Sequence, residues 1–91
     1  MPATVVIIVK IMPESPESDL NSIKNHAQAS LEKEGAKNIS FQEIPIAFGL
    51  KALQVKLDLD EQKGTDLVES LLSKIPEVSS VKIEDYRRAF G

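Results

Sequence analysis

No cysteine occurs in this sequence, which excludes disulfides, thiol catalysis and the thiolate ligands of most structural zinc sites. A chain without thiols suits a reducing cytosol, and a cytoplasmic location is expected. Histidine occurs once, at His26, out of phase with the apolar stripe of the helix that carries it. An exposed surface residue is expected there, with no metal role. Long hydrophobic runs are also missing. The stretch Val5 to Val9 is too short to cross a bilayer and lacks a basic leader and a small-residue cleavage pattern, so it reads as a strand and no membrane association is expected.

Positive charge is scarce as well. The net charge of −3 and pI near 5.1 argue against a broad phosphate-binding surface, because nucleic-acid affinity comes largely from counterion release by Lys and Arg. Direct nucleic-acid binding is therefore disfavoured. The four glycines are isolated, and none forms a dinucleotide-binding or P-loop motif, so the chain is not expected to hold a nucleotide or any other cofactor of its own. Internal repeats and low-complexity tracts are absent.

What is present fits one folding unit. A chain of 91 residues can bury roughly 60–70% of its unfolded surface. Its 42% hydrophobic and 27% charged content is ordinary for a globular protein. Residues 1–91 are expected to form a single domain.

Thr4 to Met12 is β-branched through Val9 and then alternates, as a central strand should, and Pro13 is expected to end it. Ser15-Pro16 offers a helix cap and first-turn proline. Leu20, Ile23, Ala27 and Leu31 recur at helical spacing, so a helix is expected over roughly 18–34, with Gly35 as its left-handed C-terminal cap. Lys37 to Ile44 alternates through Ile39 and Phe41, with a slip of phase at Glu43-Ile44 that suggests a bulge or the strand's end. Leu50 to Leu59 has the cleanest period of two. Leu53, Val55, Leu57 and Leu59 point one way, and Ala52, Gln54, Lys56 and Asp58 the other. Between these strands Pro45 to Gly49 reads as a hairpin connection. Leu67, Val68, Leu71, Leu72 and Ile75 stripe a second helix that Pro76 stops, and Val78, Val81 and Ile83 mark a weaker last strand. The order βαββαβ predicts an α+β, ferredoxin-like sandwich: a four-stranded antiparallel sheet with both helices on one face.

No constellation of nucleophile with base, paired carboxylates or metal ligands is convincing, so no catalytic residue is assigned and enzyme chemistry is not expected. The carboxylates Asp58, Asp60 and Glu61 read more readily as a solvated loop than as a cation site. Two features resist a purely structural reading. Ile44 to Leu50 carries no charge where polar turn residues are usual; Phe48 either folds into the core or anchors a partner. Tyr86-Arg87-Arg88 is a basic end on an acidic chain; it is either a frayed terminus or a functional cation pair.

The run Ile44-Pro45-Ile46-Ala47-Phe48-Gly49-Leu50-Lys51-Ala52-Leu53-Gln54-Val55 resembles the signature of the guanine-nucleotide exchange domains of elongation factor 1-beta. The whole chain resembles the short archaeal members. Supporting residues are the Val-rich first strand ending in Met12-Pro13-Glu14-Ser15, the helix before Gly35, and the ending from Val78 to Arg88. The resemblance implies an exchange factor for elongation factor 1-alpha, the GTPase that delivers aminoacyl-tRNA to the ribosome. It also implies that Phe48 packs against the GTPase, with Pro45, Ile46, Gly49 and Lys51 in the docking surface. A basic residue near the C-terminus, by position Arg88, would reach the Mg²⁺ and phosphate site, and Arg87 could share or take that role.

Two positions depart from the eukaryotic members, which have glycine at the position of Ala47 and a penultimate lysine at that of Arg88. The long N-terminal regions of those members are expected to be absent, leaving the exchange module alone as a monomer. Acting on one GTPase at once requires the hairpin turn and the basic end to lie close together, and that proximity is expected. The alternatives are an RNA-recognition domain, disfavoured because the strands Val5 to Val9 and Leu53 to Leu59 carry no aromatics, and a small ligand-sensing or oligomerising ferredoxin-like module, which dimerisation through the sheet would favour.

Overall fold

A computed structural model describes residues 3–90. The chain runs β1 (Thr4–Pro13), α1 (Leu20–Lys33), β2 (Lys37–Pro45), a short 3₁₀ turn (Ala47–Gly49), β3 (Lys51–Asp60), α2 (Gly64–Ser73) and β4 (Val78–Phe90). The strands form one sheet in the order β2-β3-β1-β4, and each neighbouring pair is antiparallel. This is the ferredoxin-like α+β arrangement expected from the sequence.

The alternation read along β1 and β3 is the alternation of burial. Val5, Ile7, Val9 and Ile11 are fully buried and pair across the sheet with Leu59, Leu57, Val55 and Leu53. Cross-strand partners share a face, so these eight residues form the floor on which the helices sit. Ile23, Ala27 and Leu31 of α1 and Val68 and Leu72 of α2 close the core above them. Each of the Val, Leu and Ile side chains contributes roughly 1.5–3 kcal/mol through burial, which is what fixes the register.

Gly35 adopts φ of 88° and closes α1. Its N–H donates to the Glu32 carbonyl, and the Ala36 N–H donates to the Leu31 carbonyl. This is a Schellman cap.

Three local expectations are corrected. The N-cap of α1 is Asp19, whose Oδ1 accepts the N–H groups of Asn21 and Ser22 at 3.0 and 3.2 Å. Ser15 instead closes its own turn, accepting the Glu17 N–H on Oγ. A carboxylate at the helix start combines a capping bond with a favourable dipole interaction, so it outcompetes the serine upstream. Secondly, of the two readings of the slip at Glu43-Ile44 the bulge is excluded and the strand's end holds: pairing stays regular there, opposite Leu53 and Ala52, β2 ends at Pro45, and its irregularity lies between Lys37 and Ser40, where Asn38 takes φ of 54°. Ile44 breaks the apparent phase because it faces the uncovered side. Thirdly, β4 does not fray after Ile83. It stays paired with β1 as far as Phe90.

Candidate functional site

The hairpin tip between β2 and β3 is the first place where the sequence departs from what a surface turn requires. The Leu50 N–H donates to the Ala47 carbonyl at 3.3 Å, closing a four-residue turn. Its central residues are Phe48 (φ 63°, ψ 30°) and Gly49 (φ 77°). Positive φ at both central positions marks a type I′ turn, whose twist matches that of the flanking strands. Gly49 adopts this conformation without steric cost. Phe48 does not, because the left-handed region costs an L-residue roughly 1–2 kcal/mol.

That strain is spent on exposure. Phe48 is 95% exposed, so it is not part of the core, and the reading in which it folds back into its own domain is set aside. Ile46 and Leu50 below it are half-buried, and Pro45 and Lys51 are exposed. The Lys51 ammonium lies 3.7 Å from the Glu43 carboxylate. Beside the tip is an open cleft of about 250 Å³, lined by Pro13, Ser15, Asp19, Glu43, Gly49 and Lys51. The tip thus presents one aromatic ring at the end of a paired hairpin, with a polar cleft at its foot.

The basic end lies in a strand. Arg88 pairs with Val5 and Arg87 with Val6. Val5 is buried under the helices and Val6 is on the other side, so the two guanidinium groups leave opposite faces of the sheet. Arg88 Nε donates to Glu61 Oε2 at 2.7 Å, and Nη2 reaches the same oxygen. Glu61 sits in the β3–α2 loop, whose position is fixed by its backbone N–H donating to the Ala3 carbonyl. Arg87 Nε lies 2.9 Å from Asp85 Oδ2 on its own strand. Both side chains remain mostly exposed, at 63% and 78%.

These two features do not lie together, which corrects both the expectation of proximity and the requirement behind it: no single patch of one GTPase can meet the hairpin turn and the basic end at once. β3 and β4 both run antiparallel to β1, so both run away from the hairpin tip. β3 begins at the tip, whereas β4 ends at the far pole. From the row of Ile11 and Leu53 to the row of Val5 and Arg88 is six residues along β1. With the three further rows from Leu53 to Leu50 and the turn added, Phe48 and Arg88 are roughly 30–35 Å apart at 3.3 Å per residue. This distance fits the longest molecular extent of 44 Å. The strand order alone requires it, so the separation was readable from βαββαβ once both neighbours of β1 were oriented.

The remaining candidates have local partners. His26 is exposed, and its Nδ1 lies 2.8 Å from the Ser22 carbonyl one turn back. Asp58 accepts Asn38 Nδ2 at 2.6 Å, and Asp60 accepts the Gln62 N–H at 2.9 Å. Among the described residues no three metal-ligating side chains gather. No described helix is long and apolar enough to cross a membrane. Sequence reasoning missed Glu61 as the partner of Arg88. The signal was positional: a residue just after β3 and one near the end of β4 both flank the start of β1.

Comparison with known proteins agrees with this architecture. The model of the EF-1 guanine nucleotide exchange domain matches residues 6–89. Elongation factor 1-beta of Methanocella arvoryzae is 40% identical over 89 residues, covering 97% of this chain and 99% of that one. Elongation factor 1-beta of Methanothermobacter thermautotrophicus is 42% identical over 85 residues, covering 92% and 94%. That of Desulfurococcus amylolyticus is 38% identical over 88 residues, covering 94% and 97%. Among solved structures, the C-terminal domain LarC2 of a cyclometallase involved in synthesis of the NPN cofactor of lactate racemase superposes with a TM-score of 0.63. It is 14% identical, and the match covers 91% of this chain and 56% of that one. That likeness is one of fold alone. The matched span contains both the Phe48 hairpin and the Arg87-Arg88 strand end, and by this match the chain belongs to the EF-1 guanine nucleotide exchange domain family.

Proposed function

We propose that this exchange factor of translation elongation acts on elongation factor 1-alpha, gripping the GTPase at both poles of its sheet to release GDP so that GTP can enter. The observation that carries this reading is Phe48: an exposed aromatic held in a strained conformation at the centre of the family's hairpin motif. Backbone strain of this kind persists where it serves a contact. Burying the ring against a partner contributes roughly 1.5–3 kcal/mol, enough to offset the strain and anchor the complex.

The far pole has the other role. A GTPase holds GDP through backbone amides, a P-loop lysine and Mg²⁺, and all must let go together. A guanidinium brought beside the Mg²⁺ repels it and offers its carboxylate ligands another partner. A thousandfold faster release corresponds to lowering the barrier by about 4 kcal/mol. One cation in a cleft of low dielectric can supply most of that. With the poles roughly 30–35 Å apart, docking and displacement fall on separate patches of the partner. By linkage, a factor that weakens GDP is itself weakened by GDP, so it binds the empty GTPase best. No bond is made or broken by the factor itself.

The RNA-binding alternative gains nothing from the structure. The described residues on the uncovered face of β1 and β3 include Val6, Ile8, Lys10, Met12, Gln54 and Lys56, without an aromatic platform for bases. The deciding experiment is stopped-flow release of a fluorescent GDP analogue from elongation factor 1-alpha with and without this chain. An unchanged release rate refutes the proposal.

A further inference from the structure

We propose that Glu61 is a positioning residue for exchange: its carboxylate braces one edge of the Arg88 guanidinium, so that the other edge is presented to the GTPase already oriented. The inference rests on the reading above, in which the basic strand end reaches the nucleotide site. A guanidinium has two edges able to meet a carboxylate or phosphate, the side edge of Nε and Nη2 and the end edge of Nη1 and Nη2. Glu61 holds the side edge. Nε donates to Glu61 Oε2 at 2.7 Å, and Nη2 reaches the same oxygen. Among the described residues the end edge has no hydrogen-bond partner, and the arginine is the more exposed of the pair, at 63% against 35% for the glutamate. The guanidinium is thus fixed without being used up, and the edge left free is one that can bind a carboxylate or phosphate through two parallel bonds.

The brace comes from a second element of the fold. Glu61 is 27 residues from Arg88 in sequence, in the turn that joins β3 to α2. That turn is pinned at several points. The Glu61 N–H donates to the Ala3 carbonyl at 2.9 Å, the Lys63 N–H to the Asp60 carbonyl at 2.9 Å, and Asp60 Oδ1 accepts the Gln62 N–H. Arg87, the other arginine of the chain, is held differently. Its Nε lies 2.9 Å from Asp85 Oδ2 on its own strand, and the same carboxylate accepts the Tyr86 N–H through Oδ1. Asp85 travels with β4 and ties Arg87 to nothing beyond it. Only for Arg88 is the direction of the side chain set by a contact between two elements.

An exposed ion pair adds little to stability, so the value of this one lies in ordering. A long side chain that is already oriented loses less freedom when a partner engages it. The carboxylate also offsets part of the arginine's charge, which works against displacement of Mg²⁺. The two effects have opposite signs: losing the brace slows exchange, whereas losing the offset speeds it. Glu61→Gln separates them, because it keeps an acceptor oxygen and removes the charge.

The test is stopped-flow release of a fluorescent GDP analogue from elongation factor 1-alpha, over limiting and saturating concentrations of the full chain. Glu61→Ala should lower the saturated rate about three- to tenfold, the range that corresponds to ordering one long side chain. The half-saturating concentration should stay within about twofold of the parent, since docking is carried by the other pole. Glu61→Gln should recover most of the rate, and in an Arg88→Ala background Glu61→Ala should cost nothing further. A rate that is unchanged or faster in Glu61→Ala overturns the proposal, and so does a full additional loss in the Arg88→Ala background. Nitrogen-15 relaxation at Arg88 Nε reports the brace in the free chain. Its mobility should rise in Glu61→Ala and stay low in Glu61→Gln, with Arg87 Nε unaffected; equal mobility in the parent and Glu61→Ala overturns the brace itself. No acceleration by the parent chain defeats the exchange reading instead, while the relaxation series still decides whether Glu61 orients Arg88.

Discussion

Phe48 and Gly49 are adjacent residues that share one unusual conformation, with φ of 63° and 77°, and only the glycine adopts it without strain. The tip therefore holds a ring at a cost to the fold, and that cost can be measured separately from the ring's function.

Replacing Phe48 with Asn creates the Asn-Gly dipeptide that type I′ turns favour. Thermal unfolding of Phe48→Asn is expected to shift upward by roughly 4–8 °C, the equivalent of about 1 kcal/mol of relieved strain. Affinity for the GTPase should fall at the same time. Stability gained together with binding lost is the signature of a strained anchor, whereas a core residue would lose both.

Gly49→Ala tests the other half of the turn. A new Cβ meets no atom within 4 Å, so crowding contributes nothing and the expected loss is purely conformational. Thermal or denaturant unfolding should show a destabilisation of about 1 kcal/mol. A neutral result would mean that the turn has no requirement for positive φ at this position.

How much of this was legible beforehand varies by element. The alternation of Leu53, Val55, Leu57 and Leu59 and the cap at Gly35 were plain, because burial and positive φ select residue types strongly. The helix start was not, since Ser15 and Asp19 are both good caps and only the path of the chain chooses between them. The continuation of β4 through Arg87 and Arg88 was also hidden. Polar residues on an edge strand look like a loop when read alone, and it is their pairing with Val5 and Val6 that makes them a strand.

Asp19→Ala follows from the corrected helix start. Two N–H groups of α1 lose their acceptor, and unfolding should reveal a loss of about 1 kcal/mol, within the range of 0.5–2 known for such caps. Ser15→Ala should stay within about 0.5 kcal/mol of the parent, as surface changes do. The reverse ranking would restore Ser15 as the cap.

Arg88 and Phe48 supply the last prediction, because their separation decides whether they act as one unit. Arg88→Ala breaks an exposed ion pair with Glu61, so folding should change by less than about 1 kcal/mol, while stimulated GDP release should fall sharply. Phe48→Ala should lower the same rate at limiting factor by weakening docking. Sites more than 7–10 Å apart without shared partners behave additively to about 0.5 kcal/mol, and these lie roughly 30–35 Å apart on one sheet. The fractional losses in kcat/KM should therefore multiply in Phe48→Ala/Arg88→Ala, with the Phe48 loss removed at saturating factor and the Arg88 loss remaining. A double variant no worse than the poorer single one would show that the poles converge on a single contact, against the geometry of antiparallel β3, β1 and β4. The same series with Arg87→Ala identifies the arginine that reaches the nucleotide, since the two leave opposite faces of β4 although both line the cleft over Val6, Ile8 and Lys56.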